Sequence, residues 1–400
     1  MVNYFANRTI GIKTSPLREN AKKAVADPKT ISFSFGYPSE DAYPLETLRK
    51  ISDNLYANEH PDSFLQYGLT EGVTELRALL KERLVKTTHI DTEEKLIITS
   101  GATQGIELSV KLFCNEGDIV LCEAQTFHGA VNSVKSLGAK VEGIPKTNSS
   151  NIDFAYLEKR LAEDVEHRIK LIYLIPTFQN PLGTSLTLTE RKRVYALARA
   201  YDVVIIEDDP YGELQYRGEV IPRIKSFDED GRVIYLGSFS KILAPSTRLG
   251  FMIASDEIIE KAVVLKQVAD SHSNNYWQHI LLAFLKDFDF EGHVAFLKEY
   301  YGSKLQLMIE KLEEIPTDYI EFTQPEGGYF INCRVKEAID IDAFYQYLED
   351  HHVVVIPGNV MSVAQIGFED NFRLNFTRPS KENIDQGIET IKQALIVARK

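Results

Sequence analysis

Two hydroxyls and two cations crowd one stretch of the chain, Gly237-Ser238-Phe239-Ser240-Lys241, with Arg248 seven positions beyond the lysine. Three chemistries fit those residue types. The plainest is a turn with a surface lysine, the usual fate of an isolated Ser-x-Ser-Lys, because short motifs recur by chance. A second takes Ser238-x-x-Lys241 as the nucleophile motif of penicillin-binding enzymes, but Ser52-Asp53-Asn54 precedes it and no Lys-Thr-Gly follows. In the third, Lys241 condenses with an aldehyde cofactor while Ser238, Ser240 and Arg248 hold its phosphate.

The third reading requires an anion cradle, a carboxylate for a pyridine nitrogen and donors for a phenolate. Ser100-Gly101-Ala102-Thr103 joins an apolar run to a helical one, so free backbone N–H groups and the helix dipole face an anion there. Most such turns merely start a helix. Glu207-Asp208-Asp209-Pro210-Tyr211 closes another apolar run, at the strand end where open α/β sheets bind ligands. A solvated loop and a magnesium site of clustered carboxylates are the rivals, and neither accounts for Tyr211.

Short apolar runs alternate with amphipathic stretches, the pattern of βαβ units in an α/β fold with a mostly parallel sheet. Lys95–Thr99, Ile119–Cys122, Leu171–Ile175, Val203–Ile206 and Val233–Leu236 are predicted as buried strands. Between them, helices are predicted over Thr103–Phe113, with Ile106, Val110 and Phe113 on one face, and over Glu190–Tyr201, with Thr189 as N-cap. From Ser255 to Leu312 the pattern is helical with a break at Asp287–Gly292, and strand-like pieces follow around Gly328–Val335 and Val353–Ile356. The division expected is a large domain over 46–289, and an N-terminal arm, 1–45, that joins a smaller α+β domain, 290–400.

Composition narrows the function classes. Among 400 residues, 44% are hydrophobic and 26% charged, with 19 Tyr and 21 Phe, enough apolar surface for a folded chain. Lys+Arg 45 against Asp+Glu 58 leaves a net charge of −13 with scattered basic residues, so no footprint for nucleic acid or an anionic membrane exists. Cys114, Cys122 and Cys333 are odd in number and form no Cys-x-x-Cys pair, which fits a reducing compartment. No signal-peptide core and no run of eighteen apolar residues occurs, so a cytoplasmic location is expected. The nine histidines include no His-Glu-x-x-His pair, and His351-His352 precede an apolar run as surface or packing residues, so no metal is expected.

Taken in order, Leu65-Gln66-Tyr67-Gly68, Ser100-Gly101-Ala102-Thr103, Pro176-Thr177-Phe178-Gln179-Asn180-Pro181-Leu182-Gly183, Glu207 to Gly212, Gly237 to Arg248 and Arg373-Leu374-Asn375-Phe376 resemble the fold-type I aminotransferases dependent on pyridoxal 5′-phosphate (PLP). The resemblance spans nearly the whole chain and is strongest to the aromatic and 2-aminoadipate branch. It implies Lys241 as the lysine that condenses with the cofactor and then acts as general base, Asp208 as partner of the pyridinium nitrogen, and Tyr211 and Asn180 as donors to the ring oxygen. It further implies that Phe127 stacks on the ring, that Ser100, Gly101, Ala102, Thr103, Ser238, Ser240 and Arg248 surround the phosphate, and that Arg373 clamps the substrate carboxylate. Gly36 matches a glycine that closes over the substrate, and Tyr67 matches a tyrosine that reaches the neighbouring subunit's cofactor, which implies a homodimer with shared sites. Gly327-Gly328 matches a turn of the small domain.

Two departures from the family pattern stand out. Gln125 occupies a position where proline is common, and Phe35 one that is often glycine, where a bulkier side chain reshapes the pocket. His128 is read as a bystander. Ser15-Pro16-Leu17-Arg18-Glu19 resembles the segment that opens this branch, so Arg18 is expected to meet the substrate side chain, with an exposed arginine as the alternative. The activity implied is ping-pong transfer of an amino group from an L-amino acid to a 2-oxo acid, with 2-oxoglutarate as acceptor. The alternatives are a carbon-sulfur β-lyase on the same fold, and a non-catalytic effector module, which elsewhere follows a winged-helix segment. Here the aminotransferase pattern begins within about forty residues of Met1, which leaves no room for such a segment.

Overall fold

Short runs of Ile, Val and Leu are too long in apolar surface and too short in length to be anything but strands buried on both faces. The computed structural model describes residues 4–9, 29–57, 60–147 and 151–400. After a two-residue strand, β1 (Ile31–Ser32), seven strands, most of them such runs, build the central sheet: β2 (Leu96–Thr99), β3 (Ile119–Glu123), β4 (Lys140–Ile144), β5 (Ile169–Leu174), β6 (Val204–Asp209), β7 (Val233–Ser238) and β8 (Gly250–Ile253). Their spatial order is β2-β8-β7-β6-β5-β3-β4. Pairing is parallel throughout except at β8, which runs antiparallel to both β2 and β7. The reason is the connection: β7 returns to β8 through one loop without a crossover helix, which permits only an antiparallel pair. That loop carries Lys241 and Arg248. With β8 reversed, the carboxyl ends of β2, β6 and β7 open on one edge of the sheet.

Both faces of the sheet are covered. Ile172, Leu174, Ile205 and Val233 pack on one side with Val194 and Ala198 of the helix Leu188–Ala200. Leu171, Ile206, Ile234 and Leu236 pack on the other with Ile106 and Val110 of the helix Ala102–Phe113. Each such side chain contributes roughly 1.5–3 kcal/mol of burial. A second sheet is built from β9 (Ile320–Phe322), β10 (Phe330–Val335), β12 (Ile356–Pro357) and β13 (Asn371–Asn375), all antiparallel, in the order β12-β13-β10-β9. β1 pairs in parallel with β11 (Val353–Val354), so Ile31 and Ser32 are tied to the C-terminal part of the chain.

Several sequence expectations need correction. The helix at 188 is capped by Thr187, not Thr189: its side chain accepts from the Glu190 N–H while Glu190 reaches back to the Thr187 N–H, a capping box that leaves Thr189 inside the first turn. The helical run after Ser255 breaks twice. The expected break is there, between helices Asn275–Asp287 and Phe290–Glu313. An earlier one falls at 271–274, where Ser271 adopts φ +62° and Asn274 caps the next helix, with no Gly or Pro to mark it. Strands β1, β4, β8, β9 and β13 lie outside the expected set, β4 because it is an edge strand with Lys140, Glu142 and Gly143 in place of an apolar run. Among the described residues no helix is long and apolar enough to cross a membrane.

Candidate active site

A cavity of about 270 Å³ opens where the strand ends meet the second sheet, lined by Lys241, Asp208, Tyr211, Asn180, Phe127 and Arg373 among others. Strand β6 runs on to Asp209, which places Asp208 at the sheet's carboxyl edge and wholly out of solvent. Its Oδ2 accepts a 2.7 Å hydrogen bond from the Tyr173 hydroxyl, while Oδ1 is buried with no partner. Burial pushes the carboxyl up to about 7, against the Tyr173 hydrogen bond, which favours the charged form, and with the help of the neighbouring Asp209 charge. An orphaned, desolvated oxygen of this kind fits a protonated ring nitrogen, whose positive charge restores the ionised carboxylate.

Lys241 lies in the loop after β7 and donates from Nζ to the Gly36 carbonyl at 2.7 Å. Desolvation first, then the charges of Arg373 and Arg248, pull its ammonium down to about 8. A lysine so shifted carries an appreciable neutral fraction near neutral pH, the form that attacks an aldehyde. The Tyr329 hydroxyl holds its backbone, donating to the Lys241 carbonyl at 3.1 Å. Tyr211 is buried beside the Tyr329 and Phe330 rings, and burial raises its phenol further above the usual range. It is a donor, not a base.

Arg373 sits inside the second sheet on β13, flanked by β10 and β12, and not at a strand edge. Its Nη1 donates to Asn180 Oδ1 at 2.8 Å and its Nη2 to the Ser34 carbonyl at 2.6 Å, while Nε is buried without a partner. The guanidinium carbon lies 4.2 Å from the Phe330 ring centroid, and burial draws its pKa down to about 10. A buried fork with an unpaired Nε suits a bidentate carboxylate. The same contact leaves the amide nitrogen of Asn180 to the cavity.

The phosphate-cradle candidates separate into two groups. Ala102 and Thr103 start the helix Ala102–Phe113 and line the cavity with Ser238, Ser240 and Arg248. Gly101 is the N-cap at φ +79°, and a Cβ there would lie 2.4 Å from Arg248 Nη2. No side chain caps this helix, so its first N–H groups are free for an anion. Ser100 is the correction: its hydroxyl donates to Asp270 Oδ2 at 2.7 Å and is no part of the lining. The turn bends its side chain behind the cradle.

Phe127 and Gly36 are in the lining, as is Phe35, stacked on Tyr37 at 5.1 Å between centroids. Gln125 steers its loop to the second sheet, bridging Ser362 and donating from Nε2 to the Gly358 carbonyl at 3.2 Å. His128 is buried, and desolvation lowers its pKa. Tyr67 stands outside the cavity, 83% exposed, with its ring edge-on to His272. Arg18 lies outside the described residues. Sequence reasoning missed Tyr173 altogether. The signal was a single hydroxyl within Leu171-Ile172-Tyr173-Leu174-Ile175, a run otherwise aliphatic.

An aldehyde-reactive lysine, a buried carboxylate with an open oxygen and an arginine with an open edge around one cavity define a pyridoxal-phosphate enzyme site. The profile "Aminotransferase class I and II" matches residues 30–391. The chain is 36% identical to an aromatic-amino-acid aminotransferase of Thermococcus litoralis, over 98% of this chain and 95% of that protein. It is 32% identical to the 2-aminoadipate transaminase of Thermus thermophilus, over 96% and 94%. A kynurenine aminotransferase structure from Pyrococcus horikoshii, in complex with PMP, superposes with a TM-score of 0.93 at 33% identity, covering 99% of this chain and 98% of that one. The chain belongs to the class I and II aminotransferases. Its fold is PLP fold type I, its cofactor is PLP, and its reaction is amino-group transfer.

Proposed function

We propose that this enzyme transfers the amino group of aromatic and long dicarboxylic L-amino acids to 2-oxoglutarate. The observation that carries the site assignment is the convergence of Asp208 Oδ1, Lys241 Nζ and the Arg373 fork on one cavity. The donor range is supported by the relatives' names and by the Phe35–Tyr37 stack, backed by the Arg378 guanidinium at 5.0 Å from the Phe35 ring centroid. Arg18 is the further contact we assign to a distal carboxylate or aromatic ring.

PLP, when bound, offers an aldehyde to the amino group and a ring that accepts the electron pair of the Cα–H bond. The chain's residues do the rest. Arg373 would orient the donor by its α-carboxylate, Lys241 Nζ would take up the Cα proton and give it back, and Asp208 would pair with the protonated ring nitrogen. Tyr211 and Asn180 would donate to the ring oxygen, Phe127 would stack on the ring, and Ala102, Thr103, Ser238, Ser240 and Arg248, which line the same cavity, would hold the phosphate. Residues 46–289 form the unit that holds the cofactor, and 1–45 with 290–400 the unit that supplies Arg373.

The enzyme acts as a homodimer in the cytoplasm. Tyr67 serves the neighbouring subunit's phosphate, a role supported by its exposure, and free Cys122 and Cys333 suit a reducing compartment. The test is a screen of amino acids for single-turnover conversion of bound PLP to pyridoxamine phosphate, followed by absorbance. Phenylalanine, tyrosine, glutamate and 2-aminoadipate should convert faster than alanine, and Arg18→Ala should raise KM for those donors while sparing alanine. Release of ammonia and pyruvate without pyridoxamine phosphate would instead establish a β-lyase.

A further inference from the structure

Behind the cradle, on the side away from the cavity lining, lies a polar cluster that the reaction does not use. Lys266, on the helix Asp256–Asp270, is wholly buried. Its Nζ donates to Gln104 Oε1 and to Ser273 Oγ, each at 2.9 Å, and to both oxygens of Asp270, Oδ1 at 2.9 Å and Oδ2 at 3.0 Å, which engages all three N–H bonds. Asp270 Oδ2 accepts from the Ser100 hydroxyl and from Gln104 Nε2, both at 2.7 Å. Gln104 Oε1 also accepts the Ser100 N–H at 2.8 Å, and the Ser100 carbonyl receives Arg248 Nη2 at 3.4 Å. Ser100 is therefore held at its amide, its hydroxyl and its carbonyl.

Lys266 is buried and its partner Asp270 partly so, and an ion pair with a buried member is a poor device for stability, since apolar residues of similar volume often stabilise as well or better. What it supplies is direction, because a carboxylate held by an ammonium presents its lone pairs at fixed angles. The turn it grips needs such a hold. Gly101 offers no capping side chain and takes a positive φ, so within the turn only the backbone bonds Gly101 N–H to Thr99 O (2.8 Å) and Gln104 N–H to Gly101 O (3.1 Å) restrain the free N–H groups at Ala102 and Thr103.

We propose that Lys266 and Asp270 are positioning residues that aim the cradle of Ser100 to Thr103 at the cofactor's phosphate, an inference that rests on the reading of the cavity as a PLP site. Neither residue lines the cavity. Their effect passes through Ser100 and Gln104, and it falls on the phosphate contact alone, not on the ring or the lysine.

The experiment measures the affinity of the cofactor-free protein for PLP and for pyridoxal, which lacks the phosphate. For Asp270→Ala the dissociation constant for PLP should rise at least tenfold while that for pyridoxal stays within twofold, with kcat at saturating PLP near wild type. Asp270→Asn, whose amide oxygen still accepts from Ser100, should recover much of the loss. Equal weakening of both ligands, or of neither, overturns the proposal, since a merely structural role does not discriminate between them. If Asp270→Ala fails to fold, Ser100→Ala removes only the hydroxyl that the carboxylate grips and must show the same selective loss. A wild-type protein that takes up neither ligand refutes the PLP reading and this one with it; wild-type uptake with unchanged variants refutes the positioning role alone.

Discussion

The Tyr173 hydroxyl on β5 donates at 2.7 Å to Oδ2 of Asp208 on β6 and so leaves Oδ1 as the unpartnered oxygen of a fully buried carboxylate. Parallel register makes this contact possible: Tyr173 lies opposite Ile206, two residues before Asp208 on the same face. The hydrogen bond favours the ionised carboxylate, against a burial that pushes it up to about 7. Tyr173→Phe should therefore raise the Asp208 pKa further. Because the group must be ionised to pair with a protonated ring nitrogen, the acidic limb of PLP uptake against pH should move to higher pH, by about one unit if the bond is worth roughly 1.4 kcal/mol. A limb that does not move refutes the coupling.

Lys241→Ala should abolish turnover by about two to four orders of magnitude, the usual worth of a positioned base. Borohydride should fix PLP on Lys241 in the wild type, read by peptide mass, and an adduct on any other lysine contradicts the assignment.

The depressed pKa of Lys241 also makes a statement about stability. Between about 8, its folded value, and its ordinary 10.5, the unfolded chain binds the proton that the cofactor-free native state has released. Stability from this group thus rises with pH across that window and is lowest below it. Lys241→Met should stabilise the cofactor-free protein at pH 7 by about 1–3 kcal/mol, with the gain vanishing toward pH 10.5. Melting temperatures at the two pH values test it, and an equal shift at both would exclude proton linkage.

Arg373→Lys keeps the charge but loses the fork, and Lys cannot at once meet Asn180, Ser34 and a carboxylate. KM for the amino donor should rise at least about tenfold, one bidentate charge-assisted contact. The PLP absorbance spectrum should stay as in wild type, and a changed spectrum would show that Arg373 acts on the cofactor instead.

Tyr67→Phe should weaken PLP retention severalfold, while light scattering still returns twice the 45.4 kDa of one chain. A monomeric wild type that holds PLP equally well in both forms removes the cross-subunit role.

Most of the fold was legible because a strand buried on both faces needs a continuous apolar run, and β2, β3, β5, β6 and β7 have one. β4 and β8 were not, since an edge strand tolerates charge and a four-residue run after a loop carries too little periodicity. The N-cap lies at Thr187 and not two positions later for a reason written in the sequence: Thr187-x-x-Glu190 is a capping box, whereas Thr189 has Lys192 three residues on.

The site divides along the same line. The family resemblance of their motifs pointed to Lys241, Asp208, Tyr211, Asn180 and Arg373, and the structure brings these five around one cavity. Which face each presents was decided by tertiary structure. Ser100 sits in the cradle motif yet turns its hydroxyl to Asp270, 170 positions away, and Arg373 is buried on a strand between two neighbouring strands. Sequence spacing specifies a residue's chemistry and its strand. Hydrogen-bond partners distant in sequence specify its direction, since an unpaired buried polar atom is too costly to point anywhere but at a partner or at the ligand that will become one.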